Sequence, residues 1–506
     1  MHTANPTAKT RELDISTLYR TITTTTTEQG STSFQYEQVV YADAQIQTSV
    51  QSEDVLSDEA PDADSTLGVV SHHEIPFSRF SDVLLGGKEL SLAAEEAVRT
   101  ATESEEFLRL KYSVTQAIND AVVEGNKRRR YYDIYGDDEV FDTKQSPLDN
   151  ALIAFLNFLL CCIQDDSDCQ RRLDYRFLGA ENFRPQRRRK RENAFHCVGI
   201  ETLDEVPETY QYDWENSVLV VDFSTESSVI SHIPSYSGSD GSTQDSQSPP
   251  VSPHKPSPTL LRWASSTMGA LGNRRFVIGI SIVAFEARLW YFDRAGTLCT
   301  PRVNMFDHVF LAAIVRLSMA SPGALGFEEI LFSSTSYPDV IEGCQLSIEG
   351  RTFALDEVVH TSGDVYGRGT AVFKAHPLPC NPFLAPGTYC KAPKDIPNHV
   401  IVKLSWQLTD SSHEDEMYRL AEEHGVEGVA KLYCSSRLLL LSQSVRGRLV
   451  DPTLYRDRQL RAQVTGPVCV PLSTLKDLDT FKQAFVSLVK GMQIQPTMAS
   501  VTDEPH

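Results

Sequence analysis

The amino-acid sequence predicts an α+β protein: an N-terminal α/β domain followed by a smaller antiparallel sheet that carries one helix. Three observations lead there. The chain has 506 residues at 41% apolar composition, enough for roughly three domains at about 150 residues each. Two strand-like stretches, SVLVVDF at 217–223 and RRFVIGISIVAFEARLWYFDRAG at 274–296, lie among segments with helical spacing. Further on, a strand, a glycine-containing turn, two more strand-like segments and a helix follow one another between Val358 and Val426.

Taken in order, residues 1–76 carry twelve acidic and three basic side chains and few clustered large apolar ones. Such a composition cannot offset the entropy of ordering, so this acidic segment is expected to be disordered. From 77 to 345 an α/β domain is expected. Its helices are predicted over 90–109 and 112–124, the second with Val114, Ile118, Ala121 and Val122 on one face. The apolar run Ala151–Ile163 reads as a buried helix. Residues 227–258, rich in Ser, Pro, Gly and Asp, read as a flexible insertion, with Ser-Pro pairs at Ser248, Ser252 and Ser257 that a proline-directed kinase could modify. Paired strands over 274–294 and a helix over 309–319 complete the domain. Residues 346–492 form the second unit, ending in a strand at Val468–Leu472 and a helix over 473–492, and 493–506 are a polar tail.

Charge and length exclude several function classes. The net charge is −21, from 47 Lys+Arg against 68 Asp+Glu, which disfavours binding to a nucleic-acid backbone. Two basic clusters, Lys127–Arg130 and Arg187–Arg191, read as solvated loops, a nuclear-import signal for the second, or a nucleic-acid patch. No apolar run approaches the ~20 residues of a membrane span. The N-terminus has no secretory apolar core, so a cytoplasmic or nuclear location is expected. The ten cysteines are expected to be free and buried, since neither Cys161-Cys162 with Cys169 nor Cys380 with Cys390 has zinc-ligand spacing.

The residues able to carry chemistry lie in the second unit. In VVHTSGDVYGRGTAVF, Gly367 and Gly369 permit a tight turn whose N–H groups can approach a phosphate with no Cβ in the way, although a plain hairpin also uses such glycines. The strand HVIVKL places Lys403 among apolar neighbours. In HEDEMYRLAEEHGV, Glu414 shares a helical face with Met417, Tyr418 and Ala421. Glu416 lies roughly 200° around that helix and stands in reserve.

LWYFDRAG followed by a helix and LGFEEI, then GRGTAVFKA and VIVKLSW, resemble the fungal-type protein kinase family, with the likeness covering roughly residues 200–492. The resemblance implies a protein-kinase-like small lobe and ATP as cofactor. Gly367 and Gly369 would then form the phosphate turn, Lys403 would reach the phosphates and Glu414 would hold the lysine. The family activity is phosphoryl transfer from ATP to protein Ser or Thr. Family members also often carry an endonuclease-like region ahead of the kinase part, which gives the N-terminal domain its endonuclease-like appearance.

Two departures limit what the resemblance implies. A kinase needs a catalytic-loop aspartate, an asparagine five residues later and a second metal-binding aspartate. Here the position five residues after Asp457 is Ala462, and Asp222-Phe223-Ser224 precedes the glycine turn inside a strand, so neither qualifies. The large lobe is missing from the likeness. Catalysis is therefore expected to be incomplete and Mg²⁺ is not expected to be held by this chain alone. The endonuclease site needs an acid and a Glu-x-Lys, but Ser224 stands where its lysine would be. The alternative reading is a non-catalytic interaction or scaffold protein, with an unknown protein partner on helix 473–492, whose Leu478, Phe481, Phe485, Leu488 and Met492 form an apolar stripe.

Overall fold

The computed structural model describes residues 19–24, 36–41, 71–86, 88–135, 147–162, 176–178, 195–198, 214–224, 255–328, 341–378, 396–426, 429–468, 477–483 and 485–486. Within the acidic segment 1–76, expected to be disordered, the described residues include three strands, and residues 1–18, 25–35 and 42–70 lie outside the described residues. β1 (Tyr19–Thr24) and β2 (Tyr36–Tyr41) pair antiparallel, and their Thr, Ile, Val and Tyr content explains why strand pairing wins locally. β3 (Ser71–Glu74) belongs to the main sheet, and Glu74 at its end lies 3.3 Å from Arg288.

α1 (Phe77–Leu84), α2 (Lys88–Thr102) and α3 (Glu105–Tyr135) follow. The break between α2 and α3 falls earlier than the apolar spacing predicts. Its cause is Ser104, whose hydroxyl accepts the Phe107 N–H at 3.1 Å and so starts a new helix. α4 (Pro147–Cys161) buries Leu148, Leu152, Phe155, Leu156 and Leu159, as the apolar run predicts.

β4 (Arg176–Leu178), β5 (Phe195–Val198) and β6 (Ser217–Ser224) lead to α5 (Pro258–Ala270). Ser257 does not belong to a flexible insertion: it caps α5, accepting the Leu260 N–H at 3.0 Å while its hydroxyl donates to Asp222. Most of that insertion and the Arg187–Arg191 cluster lie outside the described residues. β7 (Phe276–Val283), β8 (Glu286–Asp293), β9 (Gly296–Cys299), β10 (Val303–Asn304) and α6 (His308–Met319) complete the N-terminal domain.

Its sheet has the order β3-β9-β8-β7-β6-β5-β4, with β10 against β8. β3 with β9 and β6 with β7 run parallel, and the other pairs are antiparallel. Both faces are covered, and the period-2 alternation of the strands sorts residues between them. Leu219, Val221, Ile278, Ile280, Leu289 and Tyr291 belong to the core shared with α4 and α6. Val220, Val277, Trp290 and Phe292 point the other way, onto Leu260, Trp263 and Met268 of α5.

The second sheet contains β11 (Gln345–Ile348), β12 (Arg351–Thr361), β13 (Ala371–Pro377), β14 (Val400–Leu408), β15 (Lys431–Leu440) and β16 (Arg458–Gly466). α7 (Glu414–Glu423) stands between β14 and β15, and α8 (Val445–Leu449) between β15 and β16. The order is β11-β12-β13-β14-β16-β15, antiparallel throughout. Of the strand expected at Val468–Leu472, residues 469–472 lie outside the described residues; among the described residues the last strand is β16. Its Gln459, Gln463 and Thr465 are buried along with Leu460, Ala462 and Val464. A run that buries polar side chains does not stand out as a strand by hydropathy.

The two sheets are joined through a buried ion pair. Arg446 of α8 donates to Asp293 at the end of β8 at 2.6 Å, and both side chains are 0% exposed. The Arg446 guanidinium also lies 4.7 Å from the Tyr455 ring. Nearby, Arg79 of α1 donates to the Arg448 carbonyl at 2.9 Å. Arg446→Ala leaves a dry carboxylate without its counter-ion and is expected to cost roughly 3–5 kcal/mol. The double variant Asp293→Leu/Arg446→Met is expected to lose less than that single variant, which denaturant unfolding midpoints would show.

Candidate functional site

Lys403 sits in the middle of β14, opposite Val372 of β13 and Gln463 of β16. All but the last residue of β14 is buried, and Lys403 itself is 5% exposed. A charge so placed needs a counter-ion. Glu414 provides it at the start of α7: Lys403 Nζ lies 2.6 Å from Oε1 and 2.9 Å from Oε2. Burial pushes the Lys403 ammonium down from its ordinary value, against the pull of Glu414.

The two carboxylates that helical phase left as alternatives now have separate places. Glu414 turns inward to the lysine, whereas Glu416 Oε2 accepts the His413 N–H at 3.3 Å at the helix start. Glu414 also receives the guanidinium of Arg368 at 2.9 Å, so one carboxylate lies between two cations.

α7 is fixed to the sheet by the next residue along. Asp415, 1% exposed, accepts from Ser435 Oγ of β15 at 2.8 Å and from Arg461 of β16 at 2.8 Å, with Arg419 at 3.1 Å. Burial alone would raise its carboxyl, but the Ser435 hydroxyl, Arg461 and Arg419 together hold it below the usual range. Adjacent residues on one helical turn thus do two jobs, Asp415 anchoring the helix and Glu414 reaching the lysine.

The glycine turn lies between β12 and β13, closed by Ser362 N–H to the Thr370 carbonyl at 2.7 Å. Gly367 and Gly369 have φ of 88° and 46°, the left-handed region that glycine enters without steric cost. The N–H of Gly367 is not turned toward an open site: it donates to the Arg294 carbonyl at 3.0 Å. Gly369 is required for a further reason, since a Cβ there would collide with the Arg294 guanidinium. Among the described residues, no backbone carbonyl takes the N–H of Arg368, Gly369 or Thr370. The Arg368 carbonyl accepts the Trp406 N–H at 2.7 Å, which lays the turn along β14 three residues beyond Lys403.

The structure therefore brings Lys403 and Glu414 into direct contact and links the glycine turn to them through Arg368. Sequence reasoning missed Arg368, Asp415 and Arg294. Arg368, between two glycines, and Asp415, beside Glu414, were charged residues in the right segments; the signal for Arg294 was an Asp-Arg pair closing an otherwise apolar hairpin.

The two aspartates rejected from sequence have structural partners. Asp457 accepts the Ser442 N–H at 2.9 Å and the Ser442 hydroxyl at 2.6 Å. Asp222, on β6, accepts from Ser257, and burial pushes its carboxyl up. Among the described residues, no group of three or more His, Cys, Asp or Glu could hold a metal ion.

The Asp415 network makes a pH prediction. Its folded-state pKa lies below the unfolded value of about 3.9, so its contribution is complete above about pH 5 and is lost as pH falls through the folded pKa, below about pH 4. Asp415→Ala is expected to cost roughly 3–5 kcal/mol near neutral pH by stranding Arg461. Melting curves of both proteins from pH 6 to pH 3 should show the gap between them narrowing.

Compared with known proteins, residues 244–449 match the family model described as fungal protein kinase. No curated protein matches the chain, and no solved structure does. The matched stretch takes in α5, the β7–β8 hairpin, the glycine turn, Lys403, Glu414 and α8. Over residues 244–449, about two fifths of its length, this chain is similar to the fungal protein kinase family.

Proposed function

We propose that β11–β16 with α7 form a protein-kinase-like small lobe that binds ATP. The observation that carries this reading is the buried pair of Lys403 with Glu414 at 2.6 Å. In a kinase small lobe, a strand lysine reaches the α- and β-phosphates and a glutamate on the following helix holds it. Strand order supports the reading: the glycine turn joins β12 to β13, β13 pairs with the lysine strand β14, and α7 follows directly.

The residues present fit a nucleotide polyphosphate. Lys403 and Arg368 offer two cations around one carboxylate, and the N–H groups of Arg368, Gly369 and Thr370 lie in the glycine turn. ATP, when bound, supplies a transferable phosphoryl group. Lys403 would neutralise phosphate charge, Glu414 would keep the lysine extended toward it, and Asp415 would hold α7 in place. These 506 residues contain no catalytic-loop pattern after Glu414, since Ala462 is buried in β16 where an asparagine would be needed. We infer that they bind nucleotide without transferring its phosphate.

A second reading, a non-catalytic interaction protein, draws on a different observation. Leu478, Phe481, Phe485 and Val486, in the helical residues 478–483 and 485–486, are 63%, 36%, 53% and 49% exposed. Such an apolar face suits a protein partner.

Thermal unfolding with and without Mg-ATP separates the readings. At a ligand concentration 100 times Kd the wild-type chain should gain about 2.7 kcal/mol, and Lys403→Met should lose most of that gain. A wild-type chain with no shift at millimolar Mg-ATP would remove the nucleotide reading in favour of the interaction protein. Transfer of labelled phosphate to a protein substrate, abolished in Lys403→Met, would overturn the inference of incomplete catalysis.

A further inference from the structure

The glycine turn makes few bonds of its own and many with the N-terminal domain. Within the turn, Ser362 N–H reaches the Thr370 carbonyl at 2.7 Å, and Ser362 Oγ lies 3.2 Å from Asp364. Beside the Trp406 N–H on the Arg368 carbonyl and the Arg368–Glu414 pair, its contacts come from elements more than 60 residues earlier. Thr361 and Ser265 hydroxyls donate to the carbonyls of Gly269 and Gly363 respectively, tying the turn to α5. Tyr366 Oη lies 2.6 Å from Thr297 Oγ1 of β9. Val365 is buried in the cluster of Trp263, Trp290 and Phe292.

At the centre of these contacts is Arg294, in the turn between β8 and β9. Its carbonyl accepts the Gly367 N–H at 3.0 Å. Its guanidinium donates to the carbonyls of Asp364 and Val365, the latter at 3.3 Å, and lies against Gly369. It is 2% exposed, and burial pushes its pKa down to about 10, so it remains charged at neutral pH. Asp293, the preceding residue, is held by Arg446 and accepts the N–H groups of Ala295 and Gly296, which makes the platform beneath Arg294 rigid.

We propose that Arg294 is a positioning residue for nucleotide recognition: reaching from the N-terminal domain, it holds the turn from Asp364 to Gly369 in the form that presents the N–H groups of Arg368, Gly369 and Thr370 to phosphate. The inference rests on the nucleotide-binding reading and adds to it a requirement for the N-terminal domain. A glycine-rich turn held only at its ends samples many conformations, and a ligand that bound it would have to overcome that freedom. Here the ordering is accomplished when the chain folds, which leaves the turn preorganised for a ligand. A planar guanidinium suits the task because it presents several donors in a fixed plane to two successive carbonyls while its face packs on a glycine. Being buried, Arg294 acts through the turn and not on the nucleotide itself.

The test uses the full chain with Arg294→Met, Arg294→Lys and, as a milder second variant, Thr297→Val. Without nucleotide, amide hydrogen exchange at residues 364–370 should quicken at least tenfold in Arg294→Met, with β7 unchanged. ATP affinity should fall about tenfold while adenosine affinity stays constant, because only the phosphates meet the turn. Arg294→Lys should recover part of the loss. If Arg294→Met does not fold, Thr297→Val should show the same pattern, with a smaller loss of ATP affinity. Unchanged exchange in the turn, an equal loss for adenosine, or a gain in ATP affinity on releasing the turn would each overturn the proposal. A wild-type chain that binds neither ATP nor adenosine would instead overturn the nucleotide reading and this role with it, while the exchange result would still show whether Arg294 orders the turn.

Discussion

The Asp293–Arg446 pair is the contact on which the arrangement of the two sheets depends. Two opposite charges at 0% exposure are tolerable only together, because either alone would face the desolvation cost of a dry ion. One partner closes a hairpin of the N-terminal sheet and the other stands on a five-residue helix inserted between β15 and β16 of the second sheet. Their meeting fixes the β8–β9 turn, and that turn carries Arg294 to the glycine loop. An ion pair with little claim to net stability can in this way specify geometry, since no other placement satisfies both charges.

The candidate site uses the same economy of neighbouring residues. Glu414 and Asp415 are adjacent on the first turn of α7, one facing Lys403 and the other facing Ser435 and Arg461. Moving the helix to free one contact would break the other. Lys403 is consequently held in a buried strand position that would otherwise favour its neutral form. Arg368 joins the glycine turn to this group through Glu414, so the turn, the strand and the helix share one carboxylate.

Much of this was legible in the linear chain. The β-branched apolar run 217–223 and the alternating run 274–294 became β6, β7 and β8, the apolar run 151–163 became α4, and the order of turn, lysine strand and helix survived intact. Helical phase ranked Glu414 above Glu416, a choice that depends only on the angle per residue, and in the structure Glu414 is the one in contact with Lys403. Other features were hidden for specific reasons. β3 is a polar tetrapeptide whose strand form exists because β9 lies alongside it. β16 buries Gln459, Gln463 and Thr465, so its composition resembles a surface segment. The Ser257 cap appeared to be part of a Ser-Pro tract because its partner, Asp222, is 35 residues away.

The sequence by itself determined which local elements form and which residue types carry charge in the second unit, since periodicity, glycine conformational freedom and helical phase act over a few residues. Only the tertiary structure decided that Gly367 donates to Arg294, that Asp415 anchors α7, and that Asp293 and Arg446 meet 153 positions apart. Those contacts depend on packing and desolvation, which are properties of the surroundings of a side chain in space and leave no fixed spacing along the chain.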